Sequence, residues 1–374
     1  MIFLLLLFLP SQLGFHFWPN WALVNGIRVD YLSPTLYLTD LIIFVLIIKN
    51  RVRIQVGLPL IILITLNIFF ALSPLTSIFK WLRILEYFWL FRYLTKSAQC
   101  SVLSAQGLKI SIIWTCLLAW LQFIKQSSVG GIWYWLGERS FNIFTPNIAK
   151  VFFGELLLRP YATFAHPNVL GGFLTIAGLL TSGWVSAIAF TTLIITFSRT
   201  AIFSALVAIL IIKRKYLLLP LLLLPFLIPG SPDSISGRVD LGRTSLNIIR
   251  DYPLFGLGLG NFVRLDFQPV HNVFLLALSE LGIPLFFYLI ILPLRYSLKI
   301  VPRHTRDGEL VESINWKLKI VVAVMFITAT MDHYWWTIPQ MQLLFSLLAA
   351  IAVKYSHDQF ADIYGRRSTG KPGS

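Results

Sequence analysis

RPYATFAHPN, residues 159–168, runs directly into VLGGFLTIAGLLTSGWVSAIAFTTLIITFSRT, residues 169–200. An arginine, a histidine and an asparagine thus stand at the mouth of a long apolar run. Polar side chains beside an apolar segment are costly to bury and are expected where there is chemistry or transport. The run is interrupted at Gly183 and at Ser198-Arg199-Thr200, which are expected as turns between helices over 168–183, 185–198 and 200–213. If either turn fails, the helix count over the whole chain drops from twelve to ten or eleven.

The rest of the chain has the same character. Only 13% of its residues are charged and 57% are hydrophobic, whereas soluble domains carry about 25% charge; the mean hydropathy is +0.76. Several apolar runs reach the roughly 17 to 25 residues a spanning helix needs, and none alternates as a membrane barrel strand does. These features predict an all-α polytopic membrane protein of about twelve transmembrane helices. The spans fall at 2–18, 33–49, 56–72, 75–94, 109–125, 168–183, 185–198, 200–213, 216–229, 271–298, 317–332 and 338–354. The chain is apolar from Ile2, with no basic region before that run and no small-residue cleavage site after it, so the run is expected as a first span. Residues 1–355 are then one helical domain, with outer-face loops at 126–167 and 230–270 and a cytoplasmic tail at 356–374, disordered from Gly365.

The formal charge of +15 comes with no single basic face or RNA-binding motif, which argues against nucleic acid as a partner. Basic residues instead flank apolar runs: Lys49, Arg51 and Arg53; Arg92 and Lys96; Lys213, Arg214 and Lys215; Lys299, Arg303 and Arg306; Arg366, Arg367 and Lys371. Cytoplasmic loops carry this excess, so both termini are expected in the cytoplasm. Cys100 and Cys116 provide neither a disulfide framework nor a metal site, and no Cys/His cluster has zinc spacing. No metal or other cofactor is expected. The glycines of GLGLG, residues 256–260, do not follow a strand of a βαβ unit, which argues against a nucleotide loop.

This topology gathers the remaining polar groups on one outer face. Arg159, His166 and Asn168 precede the sixth span, Arg199 lies at the turn before the eighth, and Arg238 and Arg243 lie in the second outer loop. His271 and Asn272 open the tenth span, and Asp332 and His333 end the eleventh. Guanidinium groups bind phosphate oxygens bidentately at any relevant pH, and a histidine with a pKa near 6.5 can take a proton from a hydroxyl. The set suits group transfer from a lipid diphosphate to an alcohol. Plainer roles exist for several members: a snorkelling anchor for Arg159, a solvated loop position for Arg238 and Arg243, and a turn facing lipid phosphates for Arg199. His271 suits a polar cap as well as a base, His166-Pro167-Asn168 a shaped helix start, and Asp332-His333 an interfacial polar pair beside Tyr334, Trp335 and Trp336.

RPYATFAHPN, TFSRT at 196–200, SGR ending at Arg238, DYPLFGLGLGNF at 251–262 and HNVFLLALSELG at 271–282, in that order, resemble the O-antigen ligase and polymerase superfamily over residues 150–340. The resemblance implies about a dozen spanning helices in the bacterial cytoplasmic membrane, with the active site on the periplasmic face. It implies an inverting, metal-independent glycosyltransferase that takes an undecaprenyl-diphosphate-linked glycan as donor and a glycan or lipid as acceptor. Carried over motif by motif, Arg159 and Arg238 bind the diphosphate and His271 activates the acceptor hydroxyl. Arg243, Arg199, Asn272, His166, Asn168, Asp332 and His333 are then candidates for substrate binding. The ligase spacing of His-Asn, nine residues and glycine is kept at Gly282, while Leu285 and Gly242 depart from the ligase pattern. The short second outer loop leaves a repeat-unit polymerase as the alternative. A transporter or flippase of an anionic lipid-linked substrate is the rival of a different class, with Glu86 near Lys80 and Arg83 as its hint.

Overall fold

The computed structural model describes residues 1–50, 52–97, 106–213, 216–228, 232–298 and 309–368. Arg51, Cys100, Arg214, Lys215, Lys299, Arg303, Arg306 and Lys371, named above, lie outside the described residues.

The first fifty residues depart most from expectation. Helix α1 is only Ile2–Leu7, because Pro10 cannot continue a helix and biases the residue before it away from helical geometry. A small β layer follows. Strand β1 (Gly14–His16) pairs antiparallel with β4 (Thr35–Tyr37), and β2 (Leu23–Val24) pairs with β3 (Ile27–Arg28). Asn25-Gly26 closes the inner hairpin with φ of 49° and 78°, the left-handed pair that matches the twist of a two-residue hairpin.

Helix α2 (Leu38–Lys49) starts where the Asp40 carboxylate accepts the Tyr37 N–H at 2.8 Å. Helices α3 (Leu58–Phe69) and α4 (Pro74–Lys96) carry proline in the first turn, where its missing N–H leaves no bond unmade. After α5 (Gln106–Lys125), strands β5 (Lys150–Phe153) and β6 (Glu155–Leu158) form a hairpin. Then come α6 (Pro167–Leu180), α7 (Trp184–Ile195) and α8 (Arg199–Lys213): the break at Gly183 forms as expected, while the second falls at 196–198, with Arg199 and Thr200 already in α8. The order ends with α9 (Pro232–Asp251), α10 (Val273–Leu281), α11 (Ile283–Leu298), α12 (Glu309–Met331), α13 (Tyr334–Thr337) and α14 (Pro339–Ser368). Residues of the expected tail are thus helical to Ser368, and 369–374 lie outside the described residues.

The all-α, twelve-span expectation is overturned. Among the described residues one helix, α5, is long and apolar enough to cross a membrane; the other apolar helices run 10–17 residues, and six short strands are present. Twelve residues at the α-helical rise reach about 18 Å, against a hydrocarbon core of about 30 Å. The apolar runs are cut by identifiable breakers. Gly282, at φ 73°, splits 271–298 into α10 and α11. Pro220 and Pro225 hold 216–227 as a 3₁₀ segment.

The core centres on α6, buried at nearly every position and packed against α7, α8 and α12. A Cβ at Gly172 would lie 2.4 Å from the Tyr334 hydroxyl, so only glycine lets α6 approach the segment after α12 this closely. That approach brings the start of α6 and the residues around 332 to the same place.

Candidate functional site

The site forms where the start of α6, the start of α10 and the end of α12 meet. Asp332, just past α12, is buried at 6% exposure, and an isolated buried carboxylate is costly. It is supplied with donors from three segments. Asn168 Nδ2 donates to Oδ2 at 3.0 Å and the His333 N–H donates to Oδ1 at 2.8 Å. His271 Nδ1 lies 3.5 Å from Oδ1. That approach is a charge contact and not a hydrogen bond, and the buried Nδ1 has no hydrogen-bond partner among the described residues. Burial alone would raise the Asp332 pKa, but the His271 contact and the imidazoles of His333, His271 and His166 outweigh it, so the carboxyl stays well below its usual range. An ionised Asp332 therefore faces His271.

Arg159 connects to the same carboxylate through Asn168. Its Nη2 donates to Asn168 Oδ1 at 2.7 Å, and its Nε donates to the Thr196 carbonyl at 2.8 Å. The fork of the guanidinium ties the loop before α6 to the turn before α8, a geometry lysine cannot reproduce. Burial pushes the Arg159 pKa down to about 10, and the charges of Arg199 and Arg238 push the same way. Arg159 stays cationic at neutral pH.

The other expected residues sort by partner. Arg238 Nη1 donates to the Met331 carbonyl at 3.3 Å, which places this exposed α9 side chain beside Asp332 in the chain. Arg243 pairs with Asp240 at 3.4 Å, both at least 70% exposed. Five residues along a helix turn through about 140° from Arg238, which explains why Arg243 faces away. His166 caps α6, its Nδ1 accepting the Asn168 N–H at 3.1 Å; burial, then Arg159, pushes its pKa down to about 3. Asn272 caps α10: its Oδ1 accepts from the N–H groups of Phe274 at 2.9 Å and Leu275 at 3.0 Å, and its Nδ2 donates to the Thr330 carbonyl at 3.1 Å. Both residues shape helix starts, and Asn272 thereby aims His271.

His333 is the member whose surroundings the sequence did not disclose. Its Nδ1 shares a hydrogen bond with Thr337 Oγ1 at 2.8 Å, its ring centroid lies 5.1 Å from that of His271, and its Nε2 is 3.9 Å from Asp332 Oδ1. Burial pushes its pKa down to about 4 despite the opposing pull of Asp332. His271, Asp332 and His333 each offer a ligand atom within 4.8 Å of one another. Ligand bonds of about 2.1 Å suit such a set after slight closure. The chain shows no zinc spacing because the fold, and not local spacing, assembles these three.

The GLGLG loop takes no part in the cluster around Asp332. Gly258, at φ 84°, is packed so that a Cβ would lie 2.2 Å from Ala71 Cβ, and the loop is a structural wedge between α3, α4 and α10. Glu280 of α10, fully buried, accepts from the Trp336 indole at 2.9 Å and anchors the 334–337 helix from below.

No family model matches the chain, and no curated protein matches it.

Proposed function

We propose that the chain is a membrane glycosyltransferase of the O-antigen ligase type, moving a glycan from an undecaprenyl-diphosphate carrier to an acceptor hydroxyl at the periplasmic face of the bacterial cytoplasmic membrane. The linked set Arg159–Asn168–Asp332–His271 beside the guanidiniums of Arg199 and Arg238 carries this proposal. The Asp332 carboxylate 3.5 Å from Nδ1 favours the tautomer with the proton on that nitrogen, which leaves the Nε2 lone pair for the acceptor hydroxyl. His271 is a quarter exposed and open to a substrate. As the acceptor oxygen attacks the anomeric carbon, its proton passes to Nε2 and the carbon–oxygen bond to the diphosphate breaks on the opposite face. The negative charge that grows on the leaving diphosphate is met by Arg159 and Arg238. Undecaprenyl diphosphate leaves, and the anomeric configuration is inverted.

Lipid contact is supported by large apolar side chains that face outward, among them Leu58 at 68%, Phe69 at 75%, Ile124 at 74% and Ile194 at 61% exposure. Purified protein supplied with a lipid-linked oligosaccharide and candidate acceptors is expected to make a new glycosidic bond and to lose that activity in His271→Ala. Undiminished turnover in His271→Ala would remove the base assignment. A repeat unit on a second carrier as the acceptor makes the enzyme a polymerase, and a lipid core makes it a ligase.

The His271–Asp332–His333 triplet supports a second possibility, a divalent cation activating the acceptor hydroxyl. Abolition of transfer by EDTA, with restoration by one divalent metal, would select the cation over a free His271 base.

A further inference from the structure

A cavity of about 290 Å³ opens on the other side of His333. It lies between the N-terminal β layer, α4 and the start of α14, and none of Arg159, Arg199 or Arg238 lines it. Three basic side chains do: Lys80, Arg83 and Arg139. Arg83 is neutralised from behind by the Asp40 and Glu86 carboxylates. Lys80 differs. Its amino group sits 3.8 Å above the centre of the Tyr31 ring, in the field of the buried Glu280 carboxyl, and makes no hydrogen bond or contact ion pair among the described residues. Its stem is held by the close approach of Gly260, where a Cβ would lie 2.8 Å from Lys80 Cγ. Among the described residues the wall carries one carboxylate, Asp30, which is exposed. Trp336 adds a half-buried ring whose indole N–H is fixed on Glu280 at 2.9 Å and which packs against the apolar clusters around Leu276 and Ala277.

A fixed lysine amino group with no contact ion pair, on a wall that also carries an oriented indole, fits a sugar with a negative charge. The ring of a saccharide packs its C–H face on an aromatic plane, and a carboxylate or phosphate oxygen takes charge-assisted hydrogen bonds from the ammonium. We infer that this cavity is the acceptor subsite and that it selects a saccharide bearing a carboxylate or phosphate, the anionic group on Lys80 and Arg139, a ring on Trp336. This inference rests on the glycosyltransferase proposal, because His333 belongs both to the cavity wall and to the cluster around Asp332. An acceptor seated there reaches His271 across His333, while the donor diphosphate lies at Arg159 and Arg238, neither of which lines the cavity.

The test uses the full chain in nanodiscs of neutral phosphatidylcholine and reads binding from tryptophan fluorescence. The probes are tetragalacturonate, its carboxyl-reduced neutral counterpart, a singly phosphorylated tetrasaccharide and inorganic phosphate. The acidic and phosphorylated saccharides are expected to bind about tenfold or more tightly than the neutral one, as a charge-assisted hydrogen bond implies. Free phosphate is expected to bind weakly, because it lacks the ring that meets Trp336. Lys80→Met is expected to remove the preference, and Trp336→Leu to weaken all three saccharides alike. Equal binding of acidic and neutral saccharides by the wild type, or a preference unchanged in Lys80→Met, overturns the subsite. Should Lys80→Met fail to fold, the wild-type ratio decides alone. Transfer from the lipid-linked donor is measured in parallel. Transfer that ignores acceptor charge overturns the subsite and leaves the transferase standing. Acidic selectivity without any transfer overturns the transferase and leaves a binding site for anionic glycans.

Discussion

At the scale of single residues, Asp332 decides what His271 can do. A neutral replacement of the same shape keeps the hydrogen bond from Asn168 but no longer stabilises the imidazolium that forms as the proton arrives. Asp332→Asn is expected to lower kcat by roughly 10²- to 10⁴-fold, with affinity for the labelled lipid-linked donor unchanged in an equilibrium binding assay. The histidines also set the acid stability. His166 and His333 are pushed down to about 3 and about 4 from 6.5, so below pH 6.5 the unfolded chain takes up protons that the folded chain refuses. Stability therefore falls as pH drops from about 6.5 to about 4. Asp332 works lower: with its folded pKa depressed, its contribution is present above the ordinary carboxylate value near 3.9 and lost as pH falls through the folded value. Tm measured between pH 7 and 4 is expected to fall in the wild type and to fall less steeply in His333→Gln. A pH-independent Tm over that interval would contradict the burial of these imidazoles.

At the scale of elements, the site depends on two helix starts. The side chain of Asn272 satisfies two N–H groups of α10 and reaches across to Thr330 of α12. Asn272→Ala removes the cap and the link between helices, and is expected to cost about 1–2 kcal/mol, read as a lower midpoint in thermal unfolding. Asn272→Ser restores the cap but not the bond to Thr330, so its stability should lie between the two while turnover stays low because His271 is less well aimed. Equal turnover in wild type and Asn272→Ser would show that the Thr330 bond has no part in aiming His271. His166 and Pro167 play the matching part for α6, and both were legible beforehand as a helix start.

At the scale of the whole molecule, the contact between α6 and the segment after α12 holds the site closed. A Cβ at Gly172 would meet the Tyr334 hydroxyl at 2.4 Å and its ring carbon Cζ at 2.7 Å. Overpacking of a filled core costs typically 1–3 kcal/mol. Gly172→Ala is expected to lower both Tm and turnover, because Tyr334 carries Asp332 and His333 with it. Adding Tyr334→Phe, which deletes the hydroxyl but leaves the ring, should recover part of each. A double variant no better than Gly172→Ala would place the strain elsewhere.

Local chemistry was enough to position most helices, since prolines at 74 and 167 and breaks at Gly183 and Ser198 act within a turn of themselves. It also marked Arg159 and His271 through their motifs. Apolar length misled, because mean hydropathy does not register a glycine at φ 73° in the middle of 271–298 or two prolines inside 216–227. The Asn25-Gly26 hairpin lay in a run expected as the connection between two spans, so the β layer went unforeseen although its turn signal was present. What only the tertiary structure decided is which polar groups meet. Asn168 and Asp332 are 164 residues apart, Arg238 and Arg243 part company by the pitch of one helix, and Lys80 gains its place by packing against Gly260. Capping and turn formation are settled by neighbours in the chain, whereas the partners of a buried charge are settled by whichever distant segment the packed core brings beside it.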